Sequence, residues 1–113
     1  MWHLTNGQFD ITVGPLMKLW GFERREGRVP SPAAIAEVLP AIGMEKLTLE
    51  GDTVRFSFPG MGLDFGAVVK GYAVDRAAAI LKRHGLENFL VDLGGNMFAA
   101  GAPPGHDAWR IGI

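Results

Sequence analysis

The sequence predicts an α/β (α+β) fold, with a mixed β-sheet and flanking helices. Three observations carry this reading. From Ala67 to about His84, apolar residues recur at helical spacing. From Lys46 to Phe58, apolar and polar residues alternate on either side of a Gly-Asp pair. Glycine makes up 16 of the 113 residues and falls singly or in pairs between apolar segments, as turns do.

The elements follow in chain order. Asn6-Gly7 is a turn signal ahead of Gln8-Phe9-Asp10-Ile11-Thr12. Gly14-Pro15 opens a short helix over Leu16 to Trp20, because proline suits a first helical turn. Leu16, Leu19 and Trp20 share one face of that helix, and Gly21 stops it. Glu23 to Pro30 is polar and reads as a loop. Ser31-Pro32 is a cap followed by a first-turn proline, so a second helix runs through Ile35, Val38 and Leu39, with Pro40 near its end and Gly43 beyond. Strands over Lys46–Glu50 and Thr53–Phe58 form a hairpin across Gly51-Asp52.

Pro59-Gly60-Met61-Gly62 makes a tight loop. The helix from Ala67, the longest, carries its apolar face on Val69, Ala73, Ala77, Ile80 and Leu81, and ends at Gly85. Phe89–Val91 and Met97–Ala100 are short strands separated by Gly94-Gly95, and Trp109–Ile113 reads as a further strand. That strand has no closing turn after it, so the sequence reads as stopping inside a fold. No internal repeat is evident, and residues 1–113 read as a single segment.

Composition excludes several function classes. With 11 Lys+Arg against 12 Asp+Glu, the chain lacks the charge excess that holds nucleic acid by its phosphates. It also lacks a polybasic segment for an anionic membrane, an apolar run long enough to span a bilayer, and a signal peptide after Met1. There is no cysteine, so disulfide scaffolds, thiolate zinc sites and cysteine nucleophiles are excluded. His3, His84 and His106 share no metal-ligand spacing, and His84 suits a helix terminus. Ser31 and Ser57 lack a nucleophile context. Trp20 and Trp109, with the seven phenylalanines, read as core more readily than as a stacking platform.

Two stretches combine an acid, small residues and a turn. In Leu63-Asp64-Phe65-Gly66-Ala67-Val68-Val69-Lys70-Gly71-Tyr72, glycine ahead of a helix exposes backbone N–H groups that suit a phosphate. Lys70 would add a point charge one turn in, and Asp64 could accept hydrogen bonds from a base or sugar. The same spacing fits an Asp64 that caps the helix and a solvated Lys70. It is neither a Walker A sequence nor G-x-G-x-x-G. In Val91-Asp92-Leu93-Gly94-Gly95-Asn96, the paired glycines fit a β-bulge or a close ligand approach, the bulge being the simpler. Asp10 with Thr12 fits a turn acid better than a catalytic one.

Four blocks in order nevertheless resemble a known family. Gly7-Gln8-Phe9-Asp10-Ile11-Thr12-Val13-Gly14-Pro15-Leu16 with Leu19-Trp20-Gly21-Phe22, the Leu63–Asp75 block, Val91–Asn96 and Trp109–Ile113 are similar to blocks of the ApbE family, the FAD:protein FMN transferases. Phe65 and Val69 are mild departures from its pattern. The resemblance implies an ApbE-type fold and an enzyme that cleaves FAD. Its FMN part goes to a threonine of an acceptor protein, such as a redox-complex subunit, and AMP leaves. It implies magnesium as the metal, and an exported, periplasmic or membrane-anchored lipoprotein as the parent.

Carried over by position, Asp64 and Lys70 would contact FAD, Gln8, Phe9 and Asp10 would line the flavin site, and the Ala67 carbonyl would ligate the metal, a main-chain oxygen being a suitable ligand for a hard cation. No catalytic nucleophile is visible, so no covalent enzyme intermediate is expected. The resemblance also implies that members are much longer and that this chain corresponds to a middle part. An early segment with the export signal and a late one with metal-binding acids and a His would lie outside it. The 113 residues alone are therefore expected to show little or no transfer. The alternatives are a non-catalytic segment that binds a flavin or a partner, and one that self-associates through exposed apolar edges.

Overall fold

A computed structural model describes residues 1–24 and 26–112. It has mixed α and β character, as expected, and divides into two compact units, Met1–Phe65 and Gly66–Ile113.

In the first unit, α1 (Gly14–Leu19) starts with Pro15 in its first turn. Its last carbonyls are met by the Arg28 guanidinium, whose Nε donates to Leu19 O at 2.7 Å. Gly21 follows with φ +75°, the left-handed conformation that ends a helix at little cost. α2 (Pro32–Val38) begins as the sequence predicts: Ser31 Oγ accepts from the Ala34 N–H at 3.2 Å. Ser31→Ala is expected to cost about 1 kcal/mol, read as a lower urea midpoint with an unchanged slope.

A short 3₁₀ turn over Leu39–Ala41 extends α2, and another over Met44–Lys46 takes the first residue expected in the next strand. The Lys46 ammonium donates to the Pro40 and Ile42 carbonyls at 2.8 and 2.6 Å, while its own carbonyl accepts the Ser57 N–H at 2.9 Å. β1 (Leu47–Glu50) and β2 (Thr53–Phe56) pair antiparallel, with Glu50 opposite Thr53, so Gly51-Asp52 is the two-residue loop expected. A parallel bridge joins Val13 to Gly62.

In the second unit, α3 (Val69–Arg83) starts two residues later than expected, behind a turn over 66–68. Its buried stripe is centred on Val74 and Ala78, with Gly71 and Leu81 half-buried in line. Val69 and Ile80, expected on the apolar face, are 50% and 43% exposed. The face that packs is the one presenting the smaller side chains to β3 (Phe89–Leu93) and β4 (Asn96–Ala100). The helix ends at His84, its cap residue. Gly85 (φ +79°) and Leu86 then donate N–H groups to the Lys82 and Leu81 carbonyls, a Schellman motif.

β3 and β4 pair antiparallel with Leu93 opposite Asn96. Gly94-Gly95 is therefore a hairpin turn and not a bulge. Both glycines have positive φ, 61° and 91°, as a type I′ turn requires. Phe89 is buried and stacks on Phe98 at 6.0 Å between centroids, and Lys82 Nζ lies over Phe98 at 4.7 Å.

Two expectations are corrected. Residues 109–112 form no strand: the Trp109 indole donates to the Ala100 carbonyl at 2.9 Å, and no backbone pairing continues β4 into this segment. Ile113 lies outside the described residues. The phenylalanines are not all core. Phe22, Phe56, Phe58 and Phe65 are 41–58% exposed.

Candidate functional site

In the first unit the candidate site grows from a short segment with a buried threonine. Asp10 Oδ1 accepts from both the N–H and the hydroxyl of Thr12, at 2.7 and 2.6 Å, an arrangement that two residues' spacing makes possible. Asp10 Oδ2 accepts from the Met44 N–H at 3.2 Å. Thr12 is 0% exposed, and its hydroxyl oxygen accepts from the Gly43 N–H at 2.7 Å. Gly43 has φ +138° and is buried, which suits the residue that turns the chain towards Thr12.

The next residues along this segment receive a second strand-like stretch. The Asp64 N–H donates to the Ile11 carbonyl at 2.8 Å, and Val13 bridges Gly62. Gly14 lies against Gly62 so closely that a Cβ on residue 14 would stand 2.8 Å from the Gly62 carbonyl carbon. Three stretches distant in sequence, 10–14, 43–44 and 62–64, thus meet in one junction.

A cavity of about 240 Å³ opens there, lined by Gly14, Pro15, Lys18, Glu23 and residues 60–63. It falls short of the ~300–1,000 Å³ typical of organic-ligand pockets, so it does not by itself bury a dinucleotide. Gln8 is exposed and Phe9 half-buried, next to Asp10 in the chain. Asp64 does not cap α3: the cap position falls on Val68.

In the second unit the two glycine-bearing stretches come together, a relation the sequence alone does not give. Lys70, the second residue of α3, is exposed. Its Nζ lies 3.5 Å from where a Cβ on residue 94 would stand. A Cβ on Gly71 would be 4.0 Å from the Asn96 amide nitrogen. Asp92 Oδ1 accepts the Gly95 N–H at 2.9 Å and so fixes the turn. The first turn of α3 closes with the Tyr72 N–H on the Val68 carbonyl, and Ala67 sits in the turn just ahead of it. A cation, a helix N-terminus and a turn without side chains therefore share one place, a combination that suits an anion.

A metal fits less well. Among the described residues no three His, Asp or Glu side chains converge on a point. The Ala67 carbonyl offers one oxygen, whereas magnesium takes near-octahedral oxygen coordination.

In the sequence Asp10, Asp64 and Lys70 stand out one at a time, and Ala67 only through the family resemblance. Gly43 and Gly14 read there only as helix punctuation, and the junction is not anticipated. The one available signal was the Asp-x-Thr spacing of residues 10–12.

The family model described as the ApbE family matches residues 1–113. An FAD:protein FMN transferase of Vibrio cholerae is 38% identical over 112 residues, which cover 97% of this chain and 34% of the relative. The solved structure of the flavin transferase ApbE from Vibrio cholerae superposes with a TM-score of 0.87 at 38% identity, over 99% of this chain and 37% of that one. The apo flavinyl transferase ApbE of Pseudomonas stutzeri gives 0.85 at 36% identity, over 99% of this chain and 38% of that one. The chain thus spans about a third of the length of the curated relatives it matches.

Proposed function

The chain belongs to the ApbE family, and from that premise we propose that it forms part of an FAD:protein FMN transferase. The reaction breaks the pyrophosphate bridge of FAD. A threonine hydroxyl of the acceptor attacks the FMN phosphorus, a P–O bond to the threonine oxygen forms, AMP departs with the bridging oxygen, and the hydroxyl proton passes to a base. Phosphoryl transfer of this kind is mostly positioning plus charge neutralisation.

The observation that carries the reading is the meeting of Lys70 with the Gly94-Gly95 turn at the start of α3. Lys70 would neutralise a pyrophosphate oxygen. Asp64 would accept from a hydroxyl or ring N–H of FAD, and Gln8 and Phe9 would line the flavin. Asp10, whose two oxygens already meet three internal donors, would shape that surface from behind.

Magnesium, when bound, would neutralise pyrophosphate charge. The Ala67 carbonyl would give one of its oxygens, and the remainder would come from outside the described residues. The redox-complex acceptor and an exported, membrane-anchored location rest on the family resemblance.

The test offers the whole protein FAD, magnesium and a threonine-bearing acceptor. The expected result is an acceptor mass gain equal to an FMN residue, matched by AMP release. Release of free FMN and AMP with an unmodified acceptor would overturn the reading in favour of a hydrolase. A second reading, self-association, is favoured by Leu49, Val54 and Phe56, which lie exposed on one face of the β1–β2 hairpin. A monomer in size-exclusion chromatography would dismiss it.

A further inference from the structure

We propose that Asp10 is a positioning residue for Asp64. It holds the backbone on which Asp64 is seated and does not itself touch the flavin nucleotide, an inference that rests on reading Asp64 as an FAD contact.

The Asp10 carboxylate is nearly filled from within the chain. A carboxylate offers about four acceptor positions. Three are taken by the Thr12 N–H, the Thr12 hydroxyl and the Met44 N–H, at 2.7, 2.6 and 3.2 Å. The Thr12 hydroxyl spends its proton on Asp10 and accepts from the Gly43 N–H at 2.7 Å. Thr12 is 0% exposed, so loss of Asp10 leaves a buried hydroxyl and its N–H without an acceptor. The segment then has a strong reason to move.

Its movement reaches Asp64 through a single residue. Ile11 stands between Asp10 and Thr12, and its carbonyl accepts the Asp64 N–H at 2.8 Å. Two residues on, Val13 bridges Gly62, and Gly14 abuts Gly62 with no room for a Cβ. Residues 62–64 are thus laid along residues 11–14, and residues 10–12 are pinned to residues 43–44 by Asp10 and by the Thr12 hydroxyl that Asp10 orients. The backbone that carries Asp64 is thus tied to the segment that Asp10 holds.

The test is a double-mutant cycle on the whole protein, with FAD in magnesium buffer as the probe and the dissociation constant read from flavin fluorescence. Asp10→Ala and Asp64→Ala are each expected to weaken FAD about tenfold, the loss of one hydrogen bond to a charged group. The double variant is expected to bind no more weakly than Asp64→Ala, because Asp10 acts only through Asp64.

A double variant weakened about a hundredfold would overturn the proposal and make Asp10 an independent contact. An Asp10→Ala protein with a lowered melting temperature and an unchanged FAD constant would also overturn it, leaving only a structural role. An Asp64→Ala protein that binds FAD like the wild type would instead remove the reading of Asp64 itself, and the proposal with it. Should Asp10→Ala fail to fold, Asp10→Asn replaces it. The amide keeps an acceptor towards Thr12 and sets an N–H against Met44. Its smaller loss of FAD affinity is expected to vanish in the Asp64→Ala background, and persistence there would overturn the proposal.

Discussion

Lys70→Ala is expected to slow FMN transfer by the whole protein about a hundredfold, with a smaller effect on FAD affinity. The ammonium stands in the first turn of α3, where the helix dipole already favours an anion. It lies beside Gly94, where a side chain would crowd it: a Cβ there would come within 3.5 Å of Nζ. In the proposed reaction, negative charge on the departing AMP would grow as the P–O bond breaks, so a cation there would help the transition state more than bound FAD. Single-turnover release of AMP, with acceptor mass as a second readout, measures this. Lys70→Arg is expected to recover part of the rate, since it restores charge on a planar head of different reach. A wild-type rate for Lys70→Ala would take Lys70 off the phosphate.

The second large effect concerns stability. Gly14→Ala is expected to cost about 3 kcal/mol. A new Cβ would meet the carbonyl carbon and oxygen of Gly62 at 2.8 and 2.9 Å and the Leu63 N at 3.2 Å. All three are backbone atoms, which cannot swing aside as a side-chain tip can. At an ordinary helical position the same substitution stabilises by about 1 kcal/mol, so even the sign discriminates. Urea denaturation gives the answer. A stabilised variant would show that 62–64 does not press on α1 as described.

What was legible in the sequence was what is decided locally. Ser31-Pro32 caps α2 because the hydroxyl reaches an N–H three residues on. Gly51-Asp52 turns a hairpin, and Gly85 ends α3, because positive φ is open to glycine whatever lies far away. What was not legible depends on residues distant in sequence. Gly14 reads as a helix opener until Gly62 is seen against it. Asp10 and Thr12 read as a turn, and their partners Gly43 and Met44 come from a different part of the chain. Gly94-Gly95 reads as a bulge, or as a close ligand approach, until the register of β3 on β4 shows a hairpin turn. The alternation over 109–113 is a strand's pattern, but a strand also needs a neighbour to pair with. For the candidate site, single residues were legible and their grouping was not.

The junction in the first unit also sets an order of events during folding. Its bonds close at sequence separations of 31 and 34 residues for Gly43–Thr12 and Met44–Asp10, and Asp64 returns to Ile11 from further still. By contrast α3, β3 and β4 follow one another through short turns. Chain segments rich in near-neighbour pairings form sooner than those that must first close long loops. Pulse-labelling hydrogen exchange during refolding is therefore expected to protect the amides of α3 before that of Gly43. The residues that seat Asp64 then acquire their shape later than α3, and conditions that slow refolding favour a chain with a formed helix and an unformed junction.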